Sequence, residues 1–399
     1  MRLSFVTLLT IVCSLAQAHA SPVEQDAPNR PDQKPAFVGQ TRIDAVRSGV
    51  AFKVTPVAHG LEYPWALAFL PDGRALVTEK PGRLRIIGAG GRLLPPIEGT
   101  PAVVYDGQGG LLDVIVARAS PLRLCLTYSA VRGPKGLTGT TARCSDAVRA
   151  GENLKLVNHQ IIWEQTPAWA GNHNHFGGRM VLAPDGTLFI TNGERYNTPI
   201  RERAQDLKAG LGKVVRVDLD GSIPADNPFA HSPDPMTRHI WSYGHRNPQG
   251  AALNPVTGQL WTVEHGPKGG DELNAPKPGR NYGWPVITYG EDYNGKPIDG
   301  NITRHAGMEQ PIYYWDPVIA PSSLMWYTGA LFPRWRGDAF IGGLASESIT
   351  RIAVKGERVT GEEKFAMGHR IRDVAQAPDG SIWAITDEDD AQVLRISPK

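Results

Sequence analysis

Four short polar stretches hold the residues best able to do chemistry: Asp106-Gly-Gln108, Asn172-His-Asn-His-Phe-Gly-Gly-Arg179, Gly244-His-Arg-Asn247 and Gly368-His-Arg-Ile-Arg372. Gln108, Asn247 and the arginines Arg179, Arg246, Arg370 and Arg372 form a donor set for an oxygen-rich anion, since guanidinium forks bind carboxylate or phosphate bidentately. The opposing reading pairs these arginines with acids at strand ends, Glu79, Glu194, Glu264 and Asp387. Arg370 and Arg372, two apart, point the same way on a strand and duplicate charge, which favours the anion. His175 is the candidate base. An imidazole titrating near 6.5 takes a proton from a hydroxyl at neutral pH, and a carboxylate such as Glu194 would fix its tautomer. The alternatives for His175 are a structural histidine or a metal ligand shared with His173.

A glycine-rich run, Gly266-Pro-Lys-Gly-Gly-Asp-Glu272-Leu-Asn274, precedes Asn281-Tyr282-Gly-Trp284-Pro285 and Glu291-Asp292-Tyr293. Irregular chain offering carboxylates and backbone carbonyls suits calcium; a solvated acidic loop is the alternative. Trp284, Trp326, Tyr243 and Tyr293 are candidates for stacking on a sugar or planar cofactor, against the plainer role of core aromatics.

A repeated element must position these loops. An apolar strand, a tight turn and a second β-rich strand closing on a carboxylate or glycine recur at Trp65–Glu79, Met180–Glu194, Gln249–Glu264 and Ile371–Asp387. Looser copies lie at Gly110–Tyr128 and Ser323–Gly343. Gly at 44 and Pro at 33 supply turns, and helical periodicity is missing except around Ile200–Leu207. Six irregularly spaced copies predict an all-β, six-bladed β-propeller with inserted loops; a pair of β-sandwiches is the alternative. In a propeller, the polar loops before each first strand meet on one face.

The chain has 399 residues, 41% hydrophobic and 21% charged, enough for a full core. A net charge of +2 gives no field that would draw it to nucleic acid. No strand-GxGxxG-helix unit, P-loop or GxSxG elbow is present, which removes the usual supports for nicotinamide, nucleotide and serine-hydrolase chemistry. Residues 1–20, with Arg2, an apolar run and Ala18-His-Ala20, read as a secretory signal too short to span a bilayer. The expectation is an exported protein, periplasmic or secreted, with no membrane span, a flexible segment over 21–50 and one propeller over 51–399. Cys125 and Cys144 are either a disulfide or two buried thiols.

Eight ordered motifs carry a resemblance: Asp106-Gly-Gln-Gly-Gly-Leu-Leu112, His175-Phe-Gly-Gly-Arg179, Gly244-His-Arg-Asn-Pro-Gln-Gly250, Glu264-His-Gly-Pro267, Asp271-Glu-Leu-Asn274, Asn281-Tyr-Gly-Trp-Pro285, Ala320-Pro-Ser-Ser323 and Arg370-Ile-Arg-Asp-Val374. Over roughly residues 55–397 the chain resembles the soluble glucose dehydrogenase and aldose sugar dehydrogenase family, calcium and pyrroloquinoline quinone (PQQ) enzymes on six-bladed propellers. The resemblance implies oxidation of an aldose at C1 to the lactone, with His175 taking the C1-hydroxyl proton, Glu194 as its carboxylate partner, and hydride passing to the quinone. It implies that Gln108, Arg246, Asn247, Arg370 and Arg372, with Tyr293, hold the tricarboxylate cofactor. The carbonyls of Gly266 and Pro267 match a catalytic calcium; Glu272, the Tyr282 carbonyl and Asp292 match a structural one. Two positions depart from the family: Gly343-Leu-Ala-Ser-Glu347 lacks the lysine of the fifth-blade loop, and Asn174 replaces an acid before the base.

The leading expectation is therefore a PQQ-dependent aldose dehydrogenase, monomer or homodimer, passing electrons to an unidentified acceptor. A calcium-dependent propeller lactonase and a catalytically silent sugar-binding propeller are the alternatives.

Overall fold

The computed structural model describes residues 21–133, 136–171 and 173–399. The expected secretory signal, residues 1–20, and Asn172 of the histidine loop lie outside them.

Strand pairs form where the repeated phrase places them. In the first, Pro64–Phe69 and Ala75–Glu79 pair antiparallel across Leu70-Pro-Asp-Gly73, where the Gly73 N–H donates to the Leu70 carbonyl at 2.9 Å. The turn needs glycine there because φ is 86°. Second strands such as Ala75–Glu79 and Thr187–Asn192 are buried along their whole length. They are short apolar runs with no exposed face because another sheet covers each side.

The strands make six antiparallel sheets, five of four strands and one of three. Their innermost strands are Pro64–Phe69, Leu111–Ala119, Met180–Leu182, Pro248–Leu253, Pro321–Trp326 and Ile371–Gln376, each touching the next and the sixth touching the first. The architecture is a six-bladed β-propeller. The last blade is shared by both ends of the ring: Phe52–Leu61 pairs with Ala391–Pro398, from Phe52 opposite Pro398 to Leu61 opposite Ala391.

The core lies between blades. Trp65, Leu76 and Leu84 of the first pack on Leu111, Leu124 and Leu126 of the second. Trp326 packs on Trp261 at 5.1 Å between the fourth and fifth, so it is a core residue and not a stacking platform for a ligand. Cys125 and Cys144 face each other on neighbouring strands of the second blade and form a disulfide. The helical periodicity near Ile200 is a short 3-10 turn, Ile200–Gln205.

Residues 21–50 run along the fourth and fifth blades. The Asn29 and Arg30 N–H groups donate to the Asp316 carboxylate at 2.9 and 3.0 Å, and the buried Gln40 donates to the Pro311 carbonyl at 2.9 Å. Among the described residues no helix is long and apolar enough to cross a membrane.

Candidate active site

Two glycines set the position of His175. A Cβ on Gly177 would stand 2.8 Å from the Asn192 backbone, and one on Gly193 would stand 2.3 Å from the His175 carbonyl. Only glycines let the two chains approach this closely, so the loop folds onto the end of strand Thr187–Asn192 and His175 meets Glu194. His175 itself takes φ of 50°, and its N–H donates to Gln108 Oε1 at 2.9 Å. The Gly177 N–H donates to Asn247 Oδ1 at 3.1 Å. Gln108 and Asn247 thus hold the histidine loop through their oxygens.

The His175 ring is buried, with Nδ1 3.0 Å from Glu194 Oε2 and the Tyr196 ring edge-on at 5.0 Å. Burial lowers the His175 pKa below the imidazole norm; Glu194 raises it again and Arg246 lowers it. Burial pushes Glu194 upward, but His175 and Arg246 outweigh this, so its pKa ends below the ordinary value and the carboxylate is ionised. An ionised carboxylate only accepts, so Nδ1 carries the proton and Nε2 keeps the lone pair. His175 is thus a neutral imidazole base with a fixed tautomer beside an ionised carboxylate.

Arg246 lies alongside, its carbonyl accepting from the Glu194 N–H at 3.0 Å. Its guanidinium is buried and stacks over Trp284 at 5.2 Å. It donates to the His265 and Gly266 carbonyls at 3.1 and 2.6 Å and reaches the Tyr293 hydroxyl at 3.5 Å. It makes no ion pair among the described residues, and its Nε is buried with no partner. A cavity of about 290 Å³ opens here, lined by Tyr196, Arg246, Pro267, Trp284, Asp292 and Tyr293 among others.

The other arginines divide. Arg370 and Arg372 share Asp387, at 3.0 and 3.1 Å, and Arg372 also donates to Gln249 at 2.8 Å. Arg179 leaves the expected anion set. It sits over Trp65 between Asp113 at 3.1 Å and Asp373 at 3.3 Å, a buried charge triad at the centre of the ring. Burial pushes Asp113 up to about 6 and also raises Asp373. His173 turns to Asp106 at 2.6 Å, so the two histidines do not share a ligand.

For the expected calcium, Gly266, Pro267, Glu272 and Tyr282 line one small cavity, which shares Arg246, Pro267 and Trp284 with the larger one. Asp292 lines only the larger one, 3.6 Å from Arg201. No group of three or more His, Cys, Asp or Glu side chains is arranged to hold a metal among the described residues. Burial, then the neighbouring Glu264, raises Glu272 well above the carboxylate norm, so the carboxyl favours its protonated form unless a cation joins it. A cation bound largely by carbonyls fits that position.

Ser242, His245 and Glu264 stand in the geometry of a hydrolase relay, with His245 2.8 Å from the hydroxyl and 2.9 Å from the carboxylate. Ser242 and His245 are fully buried, so no substrate reaches the hydroxyl. A larger cavity of about 610 Å³, at turns such as Leu70–Arg74 and Arg149–Glu152, contains none of the candidate residues.

Against known proteins, the family model described as Glucose / Sorbosone dehydrogenase matches residues 61–395. The chain belongs to the glucose/sorbosone dehydrogenase family. It is 43% identical over 350 residues to the aldose sugar dehydrogenase YliI of Escherichia coli, covering 85% of this chain and 91% of that one. The solved apo-form of the soluble aldose sugar dehydrogenase from Escherichia coli aligns with TM-score 0.82 and 41% identity over 87% of this chain and all of that one. A PQQ-bound aldose sugar dehydrogenase from Streptomyces coelicolor aligns with TM-score 0.70 and 28% identity, over 88% of this chain and 100% of that one.

In this member of the family, the fifth-blade loop offers backbone where a lysine was expected: the Leu344 carbonyl accepts from Arg370 at 3.3 Å. Arg195 and Tyr196, which sequence reasoning passed over, follow Glu194 with φ of 73° and 77°. Arg195 is buried 3.9 Å from the Phe176 ring, and Tyr196 walls the cavity. Two consecutive left-handed residues outside glycine leave no mark in composition.

Proposed function

We propose that the protein is a PQQ- and calcium-dependent dehydrogenase that oxidises aldose sugars at C1 to the lactone. One observation carries the reading: a neutral, carboxylate-held His175 stands beside Arg246, a buried guanidinium that forms no ion pair among the described residues and whose Nε has no partner. A buried donor left unpaired is costly unless a ligand completes it, and an anion would pair it best. Arg370, Arg372 and the amide of Gln108 extend the donor set, and the PQQ-bound relative from Streptomyces coelicolor supports PQQ as the anion.

When bound, PQQ supplies the two-electron acceptor for the C1 hydride, with calcium at the Gly266 and Pro267 carbonyls and a second ion toward Glu272, the Tyr282 carbonyl and Asp292. His175 Nε2 takes the proton of the sugar C1 hydroxyl as the C1–H bond breaks. Glu194 holds the Nδ1–H and stabilises the imidazolium that forms. Buried Trp284, with half-buried Tyr196 and exposed Tyr293 at the rim, gives the sugar ring apolar walls. The proposal includes export, resting on the N-terminal apolar run.

The test is dye reduction by metal-stripped protein given PQQ and Ca²⁺ together or singly, across several aldoses. Activity that needs both additions is expected. A folded protein that binds PQQ yet reduces no dye with any aldose sinks the proposal.

A further inference from the structure

Lys80 follows the closing carboxylate of the first blade and is pinned where three blades meet. Its N–H donates to the Tyr63 carbonyl at 3.0 Å, the Tyr63 N–H donates to the Glu388 carbonyl at 2.8 Å, and the Lys80 carbonyl accepts from Leu111 at 2.9 Å. This places the lysine between the Asp387–Glu388 turn, which holds Arg370 and Arg372, and the loop that carries Gln108. The ammonium lies near the Tyr63 and Tyr105 rings, at 5.7 and 5.6 Å, and donates to the Gly107 carbonyl at 3.1 Å. It forms no ion pair among the described residues. An ammonium has three donors, and the Gly107 carbonyl uses one.

Lys80 joins two other cations on this rim. Arg370 and Arg372 already share Asp387, while Glu388 faces His369 at 3.3 Å and Asp106 faces His173 at 2.6 Å, so among the described residues no carboxylate pairs with the ammonium. Burial, then Arg372, lowers the Lys80 pKa, as expected for a cation crowded by cations.

We propose that Lys80 is a further cofactor-binding residue, donating to a carboxylate of the quinone beside Arg370 and Arg372; this rests on the PQQ reading above. Lysine suits the place as a compact point charge with three donors, carried on a flexible four-carbon stem from a backbone held at both its N–H and its carbonyl. A purely structural lysine would cap the Gly107 carbonyl and leave the affinity for an anion unchanged.

The experiment is calorimetric titration of PQQ, and of its trimethyl ester, into calcium-loaded wild type, Lys80→Met, Lys80→Gln and Lys80→Arg at two salt concentrations. Unfolding temperatures establish that each variant is folded. Both neutral variants should bind PQQ about 10- to 100-fold more weakly, as for a lost charged hydrogen bond. Lys80→Arg should stay close to wild type, and wild type and variants should bind the ester alike. PQQ affinity unchanged in the folded neutral variants overturns the role of Lys80 while the quinone reading stands. Wild type that binds no PQQ overturns both.

Discussion

His175 Nδ1 and Glu194 Oε2 lie 3.0 Å apart, one on a left-handed loop residue and the other just beyond the end of a strand. The contact commits Nδ1 to the carboxylate and leaves Nε2 as the ring's basic atom. Replacing His175 with Gln removes the proton acceptor but keeps a polar side chain of similar reach. The expected result is a fall in kcat of about 10²- to 10⁴-fold with PQQ affinity retained, read by single-turnover reduction of the bound quinone. Turnover at the wild-type rate would remove His175 from the chemistry.

The pH profile follows from the same pair. A general base works deprotonated, so the rate rises with pH through its pKa and is flat above it. Burial sets that pKa below the ordinary 6.5. The acid limb of kcat/KM should therefore lie below pH 6.5. Glu194→Gln removes a charge that raises the His175 pKa, so the limb should shift to lower pH while the plateau drops. A limb that moves upward contradicts the arrangement.

If the proposed calcium is present, stripping it should release the quinone and lower the unfolding temperature, because the buried Glu272 carboxyl is left without a cation. Returning Ca²⁺ at 100 times its dissociation constant should restore about 2.7 kcal/mol by mass action. Calorimetry with and without chelator reads both effects, and a melting point indifferent to calcium argues against the ion.

The Cys125–Cys144 disulfide closes a loop with a sequence separation of 19. Cross-linking a loop of that size stabilises by about 3 kcal/mol in the chain-entropy account. Denaturant titration of the Cys125→Ala/Cys144→Ala protein should show a loss of that order, with any sugar oxidation intact, since both cysteines are buried in the core between the second and third blades.

Arg179→Met leaves Asp113 and Asp373 facing each other without their shared cation. Breaking a buried ionic group in this way costs about 3–5 kcal/mol. The variant should unfold at distinctly lower denaturant concentration, and the loss should ease on acidification: Asp113, at about 6 with Arg179 in place, loses the cation that lowers it and takes up a proton more readily.

The strand pairs were legible because each is a local object: apolar alternation, a glycine or proline turn, and a closing polar residue lie within some twenty positions. The His175–Glu194 pair was legible for the same reason, since both ends belong to one copy of the phrase. Arg179 was not. Its partners stand 66 and 194 positions away, inside strands, and nothing nearby marks a glutamate or aspartate that will meet it at the ring's centre. Arg370 and Arg372 read as spare charge because their shared Asp387 counts once in sequence but serves twice in space. Trp326 looked available for stacking because aromatic residues carry no label for which blade will cover them.

The pairing of Phe52–Leu61 with Ala391–Pro398 governs when the protein can become itself. Until the final strand is synthesised, Ile382–Thr386 and Phe52–Leu61 present bare edges, and the hydrogen bonds that lock them lie at the far end of the polypeptide. Contacts so distant in sequence form slowly, because a very long loop must close first. A nascent chain of this design keeps its ring open until its last residues emerge.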